Sequence, residues 1–192
     1  MIKNDLISEL RTIKNAKRFY RDKSADYVLK YPETFPFLLH ETFDLQSPLS
    51  VKAAWVFEIV SENNIQLLVP HFNYFCKNLN HLKNESALRP ISKVCSFIAK
   101  SYSKKNNVDL TNKLTEVHKE KLIENSFDWF INDHKVATKV YAMDTLFLFG
   151  KEIDWIHQEL LMILQQNFSN GSPAYKAHAK MIINDINKFA IL

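Results

Sequence analysis

Only two glycines, Gly150 and Gly171, occur in this chain of 192 residues. Sandwiches, barrels and nucleotide-binding α/β folds use glycine at tight turns and phosphate loops, where φ turns positive or the backbone must approach a ligand. A chain this poor in glycine is expected to be all-α. The apolar pattern points the same way. Residues 49–63, LSVKAAWVFEIVSEN, set Val51, Ala54, Trp55, Glu58 and Ile59 on adjacent helical rows. IQLLVPHFNYFCKNL, from residue 65, places Ile65, Leu68, Phe72, Phe75, Cys76 and Leu79 in the same way. LRPISKVCSFIAKSY, from residue 88, repeats it with Leu88, Ile91, Val94, Cys95, Ile98 and Tyr102. These follow the i, i+3, i+4, i+7 template rather than the alternation of a strand.

The breaks between periodic segments are short and polar. In DLQSP, Ser47 is a candidate cap and Pro48 a first-turn residue. In the helix at 134–149, Asp133 is the expected cap and Gly150 the stop. KKNNVDLTN, from residue 104, is the longest stretch read as irregular. About nine helices are expected, covering more than half of the chain.

Hydrophobic residues make up 46% and charged residues 24%, so a folded core is expected rather than disorder. The first 23 residues have no continuous apolar core and are not read as a secretory signal. No apolar run approaches the ~20 residues of a membrane-spanning helix. Cys76 and Cys95 lie in apolar periodic segments without metal-ligand spacing, which suggests buried, reduced thiols in a cytoplasmic protein. Net charge is +4, and residues 1–31 account for all of it, with eight basic and four acidic side chains.

The segments pair. Residues 32–43 with 49–63, 65–80 with 86–103, 113–131 with 134–149, and 153–168 with 173–190 make four helical hairpins, each of roughly 35 to 40 residues. Near the start of each second helix a basic residue recurs between apolar or small ones: VKAA, LRPIS, TKVYA and YKAHA. Its positions are Lys52, Arg89, Lys139 and Lys176, separated by 37, 50 and 37 residues. Lys93 and Lys180 extend two of these by one turn.

With these features the chain resembles the HEAT-repeat, armadillo-like family of α-solenoids. That family's unit has a first helix with Pro and paired leucines, a polar turn with Asp or Asn, then Val-Arg and an alanine. YPETFPFLLHETFDLQSPLSVKAAWVFEIV matches through Asp44, Val51, Lys52 and Ala54, and FDWFINDHKVATKVYAMDTLFLFG through Asp133, Lys139 and Ala142. The second and fourth units depart, with Pro90 in the expected Ala region and Asn170 in place of Asp. The resemblance implies one domain over 1–192, an α-α superhelix of about four HEAT-like hairpins. Residues 1–31 would form a basic helical cap and residues 32–192 the repeats. It also implies that second helices line a concave face, where the basic residues would either bond the inter-helix turns at Asp44, Asp133 and Asn170 or form a column suited to acidic peptides or phosphates.

Groups that could carry chemistry are few. HETFD, from His40, lacks the second His of a zinc helix. Glu116, Glu120, Glu124 and Asp128 form a carboxylate ladder that reads as an outward face of an amphipathic helix. Asp128–Trp129 and Asp154–Trp155 echo the aromatic and acidic residues with which HEAT-fold glycosylases hold damaged DNA. However, each Trp lies among Phe, Ile and Val and reads as packing between repeats. The flexible Ser-Met-Pro-Lys-Asn-Pro type loop of the adenylosuccinate lyase superfamily is absent. No phosphate loop, nucleophile elbow or C-x-x-C occurs.

The reading is therefore a non-enzymatic repeat protein with no catalytic, cofactor or metal residues. Its candidate partner-binding residues are Lys52, Arg89, Lys93, Lys139, Lys176 and Lys180, and its partner is a protein or peptide, acidic segments being among those the column suits. Nucleic-acid binding or alkylation repair stands as the alternative, and a lyase ranks last. Repeats at the ends leave apolar faces that need covering, which favours a homodimer. The apolar INKFAIL tail is expected to pack onto the last repeat or a second subunit.

Overall fold

The computed structural model describes residues 2–189. Among the described residues there are eleven α-helices, three 3-10 segments and no strand. The helices are α1 (Ile2–Arg11), α2 (Arg18–Lys30), α3 (Phe35–Phe43), α4 (Ser50–Asn63), α5 (Phe72–Asn78) and α6 (Glu85–Lys104). They continue with α7 (Val108–Lys113), α8 (Glu116–Ile131), α9 (Val136–Phe149), α10 (Asp154–Asn167) and α11 (Pro173–Phe189).

The count exceeds nine by two, because the N-terminal stretch is divided and a further helix begins within KKNNVDLTN, while residues 65–81 are only partly α-helical. The basic N-terminal stretch is two helices, separated where the Lys17 N–H turns back to the Asn15 side chain at 3.0 Å. Residues 65–81 begin as a 3-10 segment, Ile65–His71, pass through α5 and end as another, Leu79–His81. Pro70 lacks the N–H that an α-helix would require there, so the regular pattern starts only after it. Within KKNNVDLTN, Lys105 adopts φ 51° and stops α6. Asn107 then caps α7 by accepting the Leu110 N–H at 3.0 Å.

Second helices pack in chain order: α6 lies between α4 and α9, and α9 lies between α6 and α11. Helix α2 covers the other side of α4. Helices α3, α8 and α10 pack against α4, α9 and α9 respectively. The pairs at 32–63 and 113–149 thus meet as the sequence suggests. The pair at 65–103 differs, because α5 leans mainly on α8 rather than on α6. One continuous core joins the elements. Phe57 stacks between Phe35 and Phe75, with ring centroids 5.5 and 5.8 Å away, and fixes α4 against α3 and α5.

Helix boundaries correct some of the sequence expectations. Asp133 is exposed and does not cap α9, whose preceding residue Lys135 makes no side-chain cap. The anion at that helix start comes instead from Glu85 of α6, which accepts the Lys135 N–H at 3.3 Å and pairs with His134. Ser47 lies ahead of α4 and accepts the Leu49 N–H at 3.1 Å, while Pro48 precedes the helix proper. Gly150 does end α9, but at φ −62°, a conformation open to any residue. Its lack of a side chain serves packing: a Cβ there would collide with the His157 ring. Within INKFAIL, Ile186 is buried and Phe189 lies edge-on to His157 at 5.6 Å. The tail residues Ala190, Ile191 and Leu192 lie outside the described residues.

Candidate functional site

The fold divides the six basic residues Lys52, Arg89, Lys93, Lys139, Lys176 and Lys180 into two kinds. Arg89 and Lys93 lie one turn apart on α6 and both reach back to α4. Arg89 Nη2 donates to Glu58 Oε2 at 2.8 Å, and Lys93 Nζ donates to Glu58 Oε1 at 3.0 Å. Lys93 also meets Glu62 at 3.5 Å. Glu58 occupies the apolar stripe of α4, and its side chain is 3% exposed. A carboxylate buried this far requires cationic partners, so the two basic residues act first as its counter-charges.

The other four carry no ion pair or side-chain hydrogen bond among the described residues. Lys52 is half-buried in the first turn of α4, and Lys176 is half-buried in α11 with Lys180 exposed one turn on. Lys139 borders a hollow of about 320 Å³ between the starts of α9 and α11, together with Asp133, Asn170 and Tyr175. The column therefore does not form one continuous basic stripe. Arg89 and Lys93 are neutralised by α4, and Lys52, Lys139, Lys176 and Lys180 are not.

What the open face of the second helices offers is a cleft of about 530 Å³ between α6, α9 and α11. Helical spacing aligns Arg89, Lys93, Phe97, Lys100 and Lys104 along one side of α6. Phe97, Tyr141, Phe147, Leu148 and Met181 supply an apolar lining. Lys93 sits 5.2 Å from the Phe97 ring centre and 6.0 Å from that of Tyr141, joining the charged centre to the aromatic lining. Lys151 Nζ lies 4.9 Å from the Phe147 ring centre, a cation over an aromatic face. Lys100 and Lys104 add two more cations at the rim. Asp144 lies within the cleft and is held by His178 Nε2 at 2.8 Å, which ties α9 to α11.

Other groups considered from sequence are dispersed. His40 is exposed and packs on Tyr74 at 4.3 Å, while Glu41 is buried and hydrogen-bonded by the Ser47 hydroxyl. Among the described residues no group of three His, Cys, Asp or Glu side chains has metal-binding proximity. Trp129 is buried and Trp55 half-buried, as packing requires, but Trp155 is 51% exposed. The ladder of Glu116, Glu120, Glu124 and Asp128 is exposed, as an outward face should be. Lys119 beside it is buried, bound to Glu116 at 2.6 Å and to the Tyr102 hydroxyl at 3.2 Å. Burial alone would lower its pKa, but those two partners outweigh it and raise it.

The sequence reading missed the cleft lining and the counter-charges Glu58 and Glu62. One signal was present for the lining: Phe97, Lys100 and Lys104 continue the Arg89–Lys93 row at spacings of three and four. No known protein family, curated protein or solved structure gives a significant match to the chain. No helix among the described residues is long and apolar enough to cross a membrane.

Proposed function

We propose that this chain is a non-enzymatic, HEAT-like helical-repeat protein that holds a peptide segment of a partner protein in the α6–α9–α11 cleft. The observation that carries this reading is the cleft's composition. An aromatic and aliphatic floor lies beside three lysines, Lys100, Lys104 and Lys151, with Asp144 and Asp185 as the acidic members. That combination suits a segment with one large apolar side chain and flanking carboxylates. The ordered stacking of α4, α6, α9 and α11 supports the superhelical reading, because consecutive repeats present their second helices in one layer. Buried thiols at Cys76 and Cys95 suit a reducing compartment, and we place the protein in the cytoplasm.

Nucleic-acid binding is less well supported by this face. Glu58 and Glu62 already engage Arg89 and Lys93, the two cations at its centre. The test is selection from a random peptide library on the purified chain, followed by anisotropy titration of the selected peptides. Enrichment of acidic peptides with one aromatic or large aliphatic residue is expected, with affinity falling about tenfold in Lys100→Glu. Failure to enrich any sequence, or affinity unchanged from wild type in both Lys100→Glu and Leu148→Asp, overturns the assignment.

A further inference from the structure

On the opposite layer, a second surface combines features that rarely coincide without a partner. Helix α8 and the start of α10 enclose a groove of about 560 Å³, floored by Ile123, Phe127, Ile153 and Trp155. Trp155 stacks on Phe127 with centroids 5.7 Å apart and planes 17° from parallel, yet half of its surface is open to solvent. Glu116, Glu120 and Glu124 line the groove. Residues 116–131 and 151–160 together hold seven acidic and three basic side chains, a net charge of −4.

The complementary feature lies at the other end of the chain. KNAKRFYRDK, residues 14–23, holds Lys14, Lys17, Arg18, Arg21 and Lys23 against Asp22, a net charge of +4. That equals the net charge of the whole chain. In its middle Phe19 is 75% exposed, the most exposed large apolar side chain among the described residues. A phenyl ring projecting from a cationic segment and an aromatic floor bordered by carboxylates match in both charge and apolarity.

We propose that the acidic groove receives the Lys14–Lys23 segment of a second copy of this chain, with Phe19 seated on the Phe127–Trp155 stack. Opposite charge draws the two surfaces together and sets their orientation, and burial of the aromatic ring holds them. Within the groove, Lys119 is already turned inward to Glu116 and Tyr102, so it does not oppose an arriving cation at Glu120. The Lys121–Glu124 contact at 2.7 Å is between exposed groups and exchanges readily for an intermolecular pair. The two surfaces are different patches of one molecule, so the contact either repeats head to tail or is exchanged reciprocally about a two-fold axis. This proposal is independent of the cleft on the second helices.

Sedimentation equilibrium of the full chain at low and high ionic strength tests it. Association that depends on concentration and weakens as salt rises is expected for the wild type. Phe19→Ala and Trp155→Ala are each expected to weaken it by about tenfold or more, the first with an unchanged thermal melt and the second with only the modest loss of the Phe127 stack. Mixing the two variants restores one intact segment and one intact groove per pair, so a 1:1 complex is expected where neither variant associates alone. A wild type that stays monomeric over the whole concentration range overturns the proposal. So does association that neither variant changes, or a mixture that fails to pair. Salt-sensitive retention of a short DNA duplex that is lost in Lys17→Glu, in a chain that remains monomeric, also overturns it by assigning the segment to nucleic acid.

Discussion

The indole N–H of Trp55 donates to the main-chain carbonyl of Ser86 at 3.0 Å, joining the middle of α4 to the first turn of α6. The reason lies four residues on. In an α-helix the Ser86 carbonyl would accept from residue 90, and Pro90 has no N–H. The proline leaves an acceptor without its helical partner, and the tryptophan fills the vacancy from the neighbouring helix.

Trp55→Phe keeps the ring but removes the donor, and is expected to cost about 1 kcal/mol in urea unfolding. With Pro90→Ala the residue at 90 regains an N–H that reaches Ser86. The Trp55→Phe cost should then shrink by more than half. A double-mutant cycle measures this coupling. Equal costs in both backgrounds would show that the bond contributes nothing beyond packing.

Gly150 and His157 form a second dependent pair. His157 donates its Nε2–H to the Phe147 carbonyl at 2.8 Å, and its ring stacks on Phe147 at 5.4 Å, occupying the space a side chain at 150 would need. Gly150→Ala is expected to destabilise by about 2 kcal/mol through overpacking. Adding Gly150→Ala to a His157→Ala background should cost little, since the ring that blocks the methyl is gone. Thermal melts of the four chains decide this.

The thiols give a pH dependence. Burial pushes Cys76 from its ordinary 9.0 up to about 12, and raises the fully buried Cys95 well above the ordinary range as well. A folded-state pKa above the unfolded one means that the folded chain keeps its thiol proton longer. The associated stability is complete below about pH 9 and is lost as pH rises towards 12. Urea midpoints should therefore fall between about pH 9 and about pH 11, by a slope of up to about 1.4 kcal/mol per pH unit for each thiol. Cys76→Ala should flatten that slope. At about pH 8 a thiol reagent should label neither cysteine faster than the chain unfolds.

Much of the fold is legible in the sequence because helical periodicity is a local signal. The stripes containing Val51–Ile59 and Leu88–Tyr102 fall within α4 and α6, and the scarcity of glycine agrees with the absence of strands among the described residues. Boundaries were less legible where long-range contacts set them. Asp133 has the chemistry of a cap, but Glu85, on another helix, reached the start of α9 first. Gly150 was readable as a stop, while its collision partner seven residues later was not.

The candidate site was half legible for the same reason. The recurring basic position points to Arg89, with Lys93 one turn on, but a counter-charge contributed by a preceding helix leaves no mark on their own segment. Glu58 did leave one, as a carboxylate on the buried rows of α4, where an acid requires a partner. The cleft depends on how α6, α9 and α11 are placed side by side, and periodicity within single helices does not encode that placement.

Glu58 also sets what an approaching molecule encounters at a distance. With Glu62 beside it, two carboxylates face Arg89 and Lys93 through contacts of 2.8, 3.0 and 3.5 Å, with Arg18 reaching Glu62 at 3.9 Å, and the field of such a mixed cluster largely cancels a short way into solvent. The middle of the second-helix layer is thus electrically quiet to anything beyond contact range. Long-range guidance falls to the unbalanced stretches, the cationic residues 14–23 and the anionic border of the Trp155 groove. An encounter with this protein would therefore be oriented from its flanks before the central cleft contributes.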